Sequence, residues 1–449
     1  MNNLKVGFSR IDNTPAIGAP LHGYPIVRIS EGVLDPLEIN TVAVSDGTNT
    51  ALIITYDCLG LAKDMLAEFR TAISEATGVP FDAIYITASH SHTAPGTLRK
   101  DANPECLAFY EQTKAGMLKT SIEAVADLTP ARMGFGVGKA ENVSFCRRYI
   151  MKDGSCKTNP GVNNPDIDHA VNPADTRVSV LRFTREGKDD ICFVNFGNHP
   201  DTVGGLLFSA DWPGAMRRTV ERVYDNVKCV FANGCQGDIN HVNVHPTGGY
   251  ANDTFIDFDD VARGYGHTQY IGRVVAAGVM QVYDKVEYID VESISTLTTT
   301  LKIPTNRPRP EEMEEARYIK RMVDEGRRDE LPYKAMMLTT KIAEANRKIL
   351  LENGPDYYDM DLIGIKIGEI ALIGIPGEPF SEIGNQLKLA DNYKLVIPTC
   401  LTNGYQGYFP TFDAYSEGGY ETVNSKFKAG VAERIIAGGI DLLGELYTK

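Results

Sequence analysis

Short apolar runs alternate with amphipathic, helix-like segments through most of the chain, and this alternation restricts the fold most strongly. Runs rich in β-branched residues, among them Ala51–Tyr56, Ala83–Ala88 and Ile191–Phe196, have the length of buried strands. Lys63–Thr77 carries apolar residues at helical spacing and ends at a Gly-Val-Pro stop signal. The pattern predicts an α/β fold with helices packed on a large mixed sheet, and 42 glycines with 23 prolines disfavour a long helical bundle.

The same patterns predict the remaining elements. The other expected strands are Thr41–Ser45, Ser179–Phe183, Val227–Ala232, Val291–Ile303, a pair within Asp361–Ile375, and Leu395–Pro398. The other expected helices are Leu107–Asp127, Pro213–Tyr224, Val261–Tyr283 and Lys428–Leu446. Because neither a repeat nor a low-complexity linker separates these elements, we expect one large domain over residues 1–449.

One charge-rich segment, Glu311–Glu352, has a helical pattern and is the clearest insertion-like part of the chain. We expect two helices separated at Leu331-Pro332, within an insertion covering about residues 305–355. Charged helical faces are usually solvated, so a solvated face is favoured over an arm that binds a partner.

The charge balance limits the classes of partner. With 45 Lys and Arg against 59 Asp and Glu, the net charge is −14, which disfavours nucleic-acid binding and charge-driven attachment to anionic membranes. No apolar run approaches the roughly 18 residues of a transmembrane helix. No basic segment followed by an apolar stretch marks a secretory signal, so we expect a cytoplasmic protein. The eight scattered cysteines favour reduced, mostly buried thiols over a disulfide framework.

The strongest local signal is the run IYITASHSHTAPG (84–96), in which a β-branched strand leads directly into two histidines. Residues i and i+2 of an extended chain point to the same side, so His90 and His92 would face one cavity at the end of a strand. Two imidazoles on one face suit a transition metal, or one ligand and one acid–base group. A pair of hydrogen-bonded loop histidines is an equally good interpretation of this run alone.

Two more strands end in polar turns. The run FVNFGNHPD (193–201) delivers His199 at a strand end, where α/β sheets place their sites, although a lone histidine is more often structural. The run FANGCQGDINH (231–241) carries Asp238, Asn240 and His241. Its glycines permit a left-handed backbone or close approach to a ligand. Asp238 could be a carboxylate behind a metal-bound histidine or a cap of the turn, and both interpretations stay open.

Further candidates lie after the later strands. Glu378 stands between Pro-Gly and Pro in IGIPGEPF (373–380), where a solvated charge explains it poorly. Tyrosines cluster in NGYQGYFP (403–410) and recur at Tyr415 and Tyr420, and such clusters either pack or place a phenol in a site. Arg263, Tyr265 and His267 could line a pocket, but a plain helix start is favoured. The serine-hydrolase elbow, the Walker A loop and the dinucleotide-binding fingerprint are absent from the sequence, which weakens those three classes.

In this order, the segments resemble the neutral (alkaline, non-lysosomal) ceramidase family. The resemblance begins near Val6-Gly7-Phe8 and Gly23-Tyr24 and runs through the HSH, NHP, GCQGDIN and PGE elements to the Gly-Tyr pair. It covers essentially the whole chain as the family's amino-terminal catalytic domain. The two-histidine element, the later histidine, the glutamate and the tyrosine together form a specific pattern. The resemblance implies a catalytic zinc ion and hydrolysis of the amide bond of N-acyl-sphingosine.

The resemblance also implies roles for individual residues. The zinc ligands would be His90, His199, Glu378 and Tyr408. His92 matches the second histidine of the family's HxH element and would lie beside the attacking water. Arg147, in NVSFCRR, matches the family's active-site arginine, and Tyr420, twelve residues after Tyr408, matches its second active-site tyrosine.

The chain departs from the family in three respects. The family's active-site serine aligns with Asn240, which cannot be a nucleophile but could orient water or substrate by hydrogen bonds. The family's carboxy-terminal immunoglobulin-like domain has no counterpart in this sequence. The expected cytoplasmic location also differs, because known ceramidases are mostly secreted or membrane-facing. The metal site therefore transfers residue by residue, whereas ceramide as the substrate does not.

The main hypothesis is a zinc-dependent hydrolase that cleaves an amide, or an ester or lactone, in a small polar molecule. A nearby histidine can take the proton of the attacking water and return it to the leaving group, while Arg147 and Tyr420 donate to the developing oxyanion. The alternatives are a genuine ceramidase and, because of Asn240, a metal-binding protein without hydrolytic activity. A His/Glu/Tyr site also accepts divalent ions other than zinc.

Overall fold

The computed structural model describes residues 3–26, 28–96, 104–249 and 251–449. Its largest element is a nine-stranded mixed sheet. In chain order the strands are β1 Lys5–Asp12, β2 Glu38–Ser45, β3 Thr50–Tyr56, β4 Ile84–Ala88, β5 Thr129–Lys139, β6 Arg177–Arg185, β7 Asp190–Phe196, β8 Val227–Asn233 and β9 Glu287–Ile289.

The order of strands brings the two edges of the large sheet together. The strands lie in the order β8-β7-β6-β5-β1-β2-β3-β4, and β9 pairs with β5. The pairs β7–β8 and β3–β4 are parallel and lie at opposite ends of the sheet, whereas the strands between them pair antiparallel. Asn233 at the end of β8 donates to the carbonyl of Ser89, just after β4, at 3.1 Å. The sheet therefore coils until the carboxyl ends of both parallel pairs meet.

A second, four-stranded sheet lies against the first. Its strands are β10 Ile294–Pro304, β11 Tyr357–Ile367, β12 Ile370–Gly374 and β13 Leu395–Thr399. They lie in chain order, and only the contact between β12 and β13 is parallel.

Ten α-helices surround the sheets in the part of the chain that the structure describes. They are α1 Lys63–Thr77, α2 Pro104–Ala126, α3 Asp211–Val223, α4 Tyr265–Met280, α5 Met313–Asp324, α6 Ala335–Leu351, α7 Ser381–Leu387, α8 Phe412–Glu417, α9 Tyr420–Asn424 and α10 Val431–Thr448. Among the described residues, none of these helices combines the length and apolar character needed to cross a bilayer.

Side-chain direction along the strands defines four layers. Because successive residues of a strand face opposite ways, Thr41 of β2 reaches Thr120 of α2 at 2.8 Å. On the opposite face, Tyr85 of β4 contacts Thr399 of β13, with 2.5 Å between the hydroxyl oxygens. The far side of the second sheet is covered by α10, since a Cβ on Gly364 would meet Leu442 and Leu446. The layers are therefore helix, sheet, sheet and helix, and the two sheets share one core.

The main sequence predictions are confirmed, including the α/β class and the helix Lys63–Thr77, which has the predicted bounds. All eight cysteines lie in the described chain as free thiols, and seven are buried. The predicted helix Val261–Tyr283 is wrong at its start, because Ala262–Arg263 form a short strand with Phe255–Ile256 and α4 begins at Tyr265.

The predicted charge-rich helical segment is also present, as α5 and α6. The chain breaks near Leu331-Pro332 as expected, between α5 and α6. The two helices pack against each other through a small apolar cluster that includes Ile319, Met322 and Ile342. Lys334 and Ala335, at the start of α6, line a cavity together with Asp259 and Tyr420.

Candidate metal centre

Three buried histidines come together where the edges of the large sheet meet. His90 and His92 follow β4, and His199 follows β7. Their ligand nitrogens lie within 4.8 Å of one another. Asn233 fixes this junction, because its side-chain amide donates to the carbonyls of both Ser89 and Asn198. The three histidines therefore meet in one buried cluster, although His90 is not extended as the i, i+2 argument assumed.

His90 is held in a strained conformation with one ring nitrogen already used. Its φ is +74°, a left-handed conformation that costs a non-glycine residue of order 1–3 kcal/mol. The side chain is 1% exposed, and Nδ1 lies 2.7 Å from the carbonyl oxygen of Leu59. Because only an N–H can bond a carbonyl, Nδ1 carries the proton of the neutral ring. Nε2 is therefore left with a lone pair that faces the cluster.

His199 repeats this arrangement from the other edge of the sheet. Nδ1 lies 3.1 Å from the carbonyl of Gln236 and 3.2 Å from that of Ile239, so Nε2 again keeps its lone pair. The carbonyls of the GCQGDIN turn, and not a carboxylate, therefore orient this histidine. Asp238 instead accepts hydrogen bonds from the backbone and hydroxyl of Ser381 at the start of α7, so it neither stands behind a histidine nor caps its own turn.

Glu378 enters the cluster from the second sheet. It follows β12 and pairs in parallel with Tyr408 in a short two-stranded ladder, so the two side chains leave neighbouring backbones. Tyr405 donates to Oε1 of Glu378 at 3.0 Å. Oε2 lies 3.3 Å from Nε2 of His90 and 3.3 Å from Nε2 of His199. Gly237 allows this placement, because a Cβ there would lie 2.4 Å from the carbonyl oxygen of Glu378.

These atoms fit a cation. Oε2 of Glu378 is buried and has no hydrogen-bond partner among the described residues. It faces two imidazole nitrogens whose lone pairs point toward it, an arrangement of three acceptors that repel unless a positive charge lies among them. Two nitrogens and a carboxylate oxygen are ligands that zinc takes in proteins.

His92 closes one side of the cluster. Its Nε2 is 3.4 Å from Nε2 of His90, and its ring packs against Tyr24 with 5.0 Å between centroids. Nδ1 of His92 is buried without a hydrogen-bond partner in the described chain. Burial, followed by the neighbouring His90, lowers the pKa of His92 well below its usual value. The ring is therefore neutral at pH 7 and able to accept a proton.

Arg147 and two tyrosines border the cluster on the opposite side. Nε of Arg147 donates to Glu421 at 2.6 Å, and Nη1 lies 3.5 Å from Nε2 of His199. The guanidinium carbon is 5.5 Å from the centroid of the Tyr408 ring, which packs edge-on against Tyr420 at 5.6 Å. Burial raises the pKa of Tyr408 well above its usual value, and Glu378 raises it further. The phenol is therefore neutral at pH 7.

Asn240 lies beside the cluster but is already hydrogen bonded. Its side-chain oxygen accepts from the backbone of Val242, and its nitrogen donates to Asn159 at 3.0 Å. Tyr405, which holds Glu378, was not singled out from the sequence. Its signal is the Gly-Tyr-Gln-Gly-Tyr run, but only the pairing of Glu378 with Tyr408 shows that this tyrosine reaches the carboxylate.

The residues around the start of α4 have two different settings. Arg263 is fully buried, bonds both oxygens of Asp259 and lies over the ring of Tyr24 at 4.8 Å, so it borders the His92 side of the site. His267 lines a separate cavity of about 510 Å³ with His241. Tyr265 is the first residue of α4, as a plain helix start predicts.

Comparison with known proteins supports the fold. Neither a protein-family model nor a curated protein sequence matches the chain. Solved structures do match. The crystal structure of neutral ceramidase from Pseudomonas aeruginosa superposes with a TM-score of 0.74 at 16% identity, over 100% of this chain and 75% of that one. A ceramidase complexed with C2 gives a TM-score of 0.73 at 16% identity, over 99% of this chain and 76% of that one. The fold is that of the neutral ceramidase structures, as the sequence resemblance implied.

Proposed function

We propose that the protein is a zinc-dependent hydrolase that cleaves an amide bond in a small polar substrate, with an ester or lactone as the related alternative. The observation that carries this proposal is the convergence of Nε2 of His90, Nε2 of His199 and Oε2 of Glu378, three acceptors buried at strand ends. The fold shared with two ceramidase structures supports the same chemistry.

Four residues would hold the zinc ion: His90, His199, Glu378 and Tyr408. When bound, zinc lowers the pKa of water toward about 7 and polarises a carbonyl oxygen. The two histidines are set for this role, since the carbonyls of Leu59, Gln236 and Ile239 hold their Nδ1 protons. Tyr405 holds the other oxygen of Glu378, so the carboxylate would bind through Oε2.

Proton transfer is assigned to His92. As a neutral ring beside the cluster, it takes a proton from the attacking water at Nε2 while the water oxygen bonds to the carbonyl carbon. It then returns that proton to the leaving nitrogen as the C–N bond breaks, which yields a carboxylic acid and an amine. Tyr24 packs on the ring and keeps it in this orientation.

Arg147 and Tyr420 are assigned to the negative charge that develops on the carbonyl oxygen. A buried donor aimed at such an oxygen is worth about 3 kcal/mol of the barrier. The bond from Arg147 to Glu421 fixes the guanidinium, so its remaining N–H groups are directed without reorganisation. Asn240 positions the adjoining loop through Asn159 and does not attack the substrate.

A second candidate is hydrolysis of N-acylsphingosine itself. It is favoured by the two matched structures, which are both ceramidases. Against it stands Asn240, in the position that the family fills with serine. The two candidates share the metal site and differ only in the substrate.

Elemental analysis and a substrate panel test the proposal together. Protein purified without a His tag is expected to carry close to one zinc per chain and to hydrolyse at least one small amide, ester or lactone faster than a fluorescent N-acylsphingosine. His90→Ala and Glu378→Ala should lose zinc and activity together. His169→Ala, at an exposed histidine, should keep both. Full activity in a zinc-free variant, or no zinc after reconstitution, would overturn the proposal.

A further inference from the structure

A cavity of about 350 Å³ lies directly beside the candidate metal centre. Tyr420, whose ring packs on that of Tyr408, forms part of its wall. One side of the cavity comes from the 156–161 segment and Asp259, and the other side from the first turns of α6. The cavity therefore separates the site from the helical segment that contains α5 and α6.

The inner wall is hydrogen bonded to residues already placed in the site. Thr158 donates to Glu421 at 2.8 Å, and the other oxygen of Glu421 holds Arg147. Asn159 accepts from Asn240 at 3.0 Å. These bonds give the inner wall a polar lining that is fixed to the groups around the cluster.

A third connection joins the cavity to His92. Asp259 holds Arg263, whose guanidinium lies 4.8 Å from the ring of Tyr24, and Tyr24 packs against His92. Three independent connections therefore link this cavity to Arg147, Asn240 and His92. The larger cavity beside His241 and His267 is lined neither by Tyr420 nor by any residue of these three connections.

The outer wall comes from the start of α6 and contains two methionines beside Lys334 and Thr340. Met336 and Met337 face the cavity, with Val423 of α9 beside them. The helix begins at Ala335, whose φ of +48° is a left-handed conformation that strains a residue with a Cβ. Lys334 and Ala335 also line a neighbouring cavity of about 290 Å³ that reaches Phe258, which packs on Tyr24. This strained turn therefore lies between two cavities that flank the site.

The size and lining of the cavity restrict what it can hold. At roughly 30 Å³ for each water-sized group, 350 Å³ accommodates about a dozen non-hydrogen atoms. Polar groups of a ligand would face Thr158 and Asn159, and an apolar end would face Met336 and Met337. Methionine side chains adapt to irregular apolar groups, so this wall suits a compact tail of variable shape.

We propose that this cavity binds the substrate next to its scissile bond and that the start of α6 determines specificity. The substrate class is a compact amphiphilic amide, with hydrogen-bonding groups near the carbonyl and a short apolar group against Met336 and Met337. This inference rests on the proposed function, because it takes the cluster as the place where the carbonyl is bound.

Alkylhydroxamic acids test the cavity without turnover, since their hydroxamate group chelates zinc and their tails vary in length. Affinities for the series from acetohydroxamic to decanohydroxamic acid are measured by calorimetry on the zinc-loaded protein. Met337→Trp narrows the cavity, and Leu350→Trp is the matched control. Both residues are half-exposed apolar side chains of α6, at 50% and 54%, but Leu350 lines neither flanking cavity.

Wild-type affinity is expected to rise with tail length up to a short alkyl chain and then to stop rising. Met337→Trp should weaken hexanohydroxamic acid by about tenfold or more and leave acetohydroxamic acid unchanged, whereas Leu350→Trp should change neither. Met336→Trp, on the same wall, should reproduce the effect if Met337→Trp does not fold.

The proposal is overturned if wild-type affinity is independent of tail length, if zinc-loaded protein binds no hydroxamate, or if Met337→Trp behaves like Leu350→Trp. These outcomes are separate from the proposed reaction. Tail-dependent binding without hydrolysis of any amide would overturn the reaction and support the cavity. Hydrolysis of an amide that is unaffected by Met337→Trp and Met336→Trp would support the reaction and overturn the assignment of the cavity.

Discussion

Two groups of buried histidines in this molecule satisfy their ring nitrogens in opposite ways. In the cluster, His90 and His199 each bond a carbonyl through Nδ1 and turn Nε2 toward the carboxylate of Glu378, at 3.3 Å from Oε2. His241, elsewhere in the same domain, has Nδ1 at 2.9 Å from Asp201 and Nε2 at 2.8 Å from the carbonyl of Ala262. Both of its nitrogens therefore lie within hydrogen-bond distance of an oxygen atom.

The difference between the two groups shows which feature distinguishes a metal centre from a structural histidine. Burial is the same in both places, and a carboxylate lies beside the histidines in both. His241 and Asp201 are hydrogen bonded to each other, and although burial raises the pKa of Asp201, His241 and Arg263 lower it well below its usual range. In the cluster, Oε2 of Glu378 has no hydrogen-bond partner among the described residues. The number of unsatisfied acceptors, and not the number of histidines, therefore distinguishes a site from a structural pair.

The largest expected effect tests the cluster side of this comparison. Glu378→Gln keeps the shape of the side chain and an oxygen for Tyr405, but it removes the negative charge that faces His90 and His199. We expect the Kd for zinc to rise at least about a thousandfold, which corresponds to about 4 kcal/mol. The Kd is measured by competition with a chromophoric chelator. His241→Asn is the control and should bind zinc as the wild type does. Loss of zinc in that variant would contradict the assignment of zinc to the cluster alone.

The second-largest expected effect is a loss of stability when the contact between His241 and Asp201 is removed. His241→Asn leaves Asp201 buried, with Arg263 at 3.6 Å as its remaining cationic neighbour. Removing one partner of a buried pair typically costs 3–5 kcal/mol, so we expect the free energy of unfolding to fall by about 3 kcal/mol in the absence of zinc. Urea unfolding can be followed by Trp212, the one tryptophan, which is fully buried and near His199. His169→Asn, at an exposed histidine, should leave the urea midpoint unchanged.

The third prediction compares how much zinc stabilises variants of the two regions. Zinc at a hundred times its Kd should stabilise the folded protein by about 2.7 kcal/mol, because it binds the folded state alone. His241→Asn should gain the same increment from its lower starting point, whereas Glu378→Gln should gain almost none. The measurement is the urea midpoint of each protein with zinc and with a chelator. Equal stabilisation of all three proteins would mean that zinc binds outside the cluster.

Most of the cluster follows from local sequence. His90 and His199 stand at the ends of strands whose apolar runs are easy to recognise, and the meeting of strand ends is a property of α/β sheets. Glu378 stands out because a lone carboxylate between prolines has no role on the surface. The partner of Glu378 is harder to find, since its pairing with Tyr408 joins segments thirty residues apart through a two-residue ladder. For the same reason, the sequence does not show that Tyr405 of the tyrosine cluster contacts Glu378.

Elsewhere the sequence misleads because packing replaces the usual pattern. The strand β5 was not predicted, since glycines alternate along it at 134, 136 and 138 where apolar residues are expected. The structure explains them, because a Cβ on Gly138 would lie 1.9 Å from the carbonyl oxygen of Gly278 in α4. Arg263 was placed at a helix start because its partners, Asp259 and the ring of Tyr24, are brought to it only by the folded chain.

The smallest expected effect concerns the orientation of His92 and not the metal. A Cβ on Gly23 would lie 2.7 Å from Cγ and Nδ1 of the His92 ring, so Gly23→Ala forces the ring to move. Gly18 provides a matched control in the same segment between β1 and β2, because its φ of +97° is close to the +110° of Gly23 but a Cβ there has no neighbour within 4 Å. Both substitutions carry the same backbone strain, and only one touches His92.

We therefore expect Gly23→Ala and Gly18→Ala to lose similar stability and to keep their zinc. Turnover should fall about tenfold in Gly23→Ala, equivalent to about 1.4 kcal/mol, and stay close to wild type in Gly18→Ala. The imidazole nitrogen resonances of His92 should shift in the first variant alone, which provides a readout that does not depend on a substrate. If both variants lose the same activity, backbone strain explains the loss. If Gly23→Ala loses zinc, His92 binds the metal itself, which would contradict its assignment as the proton carrier.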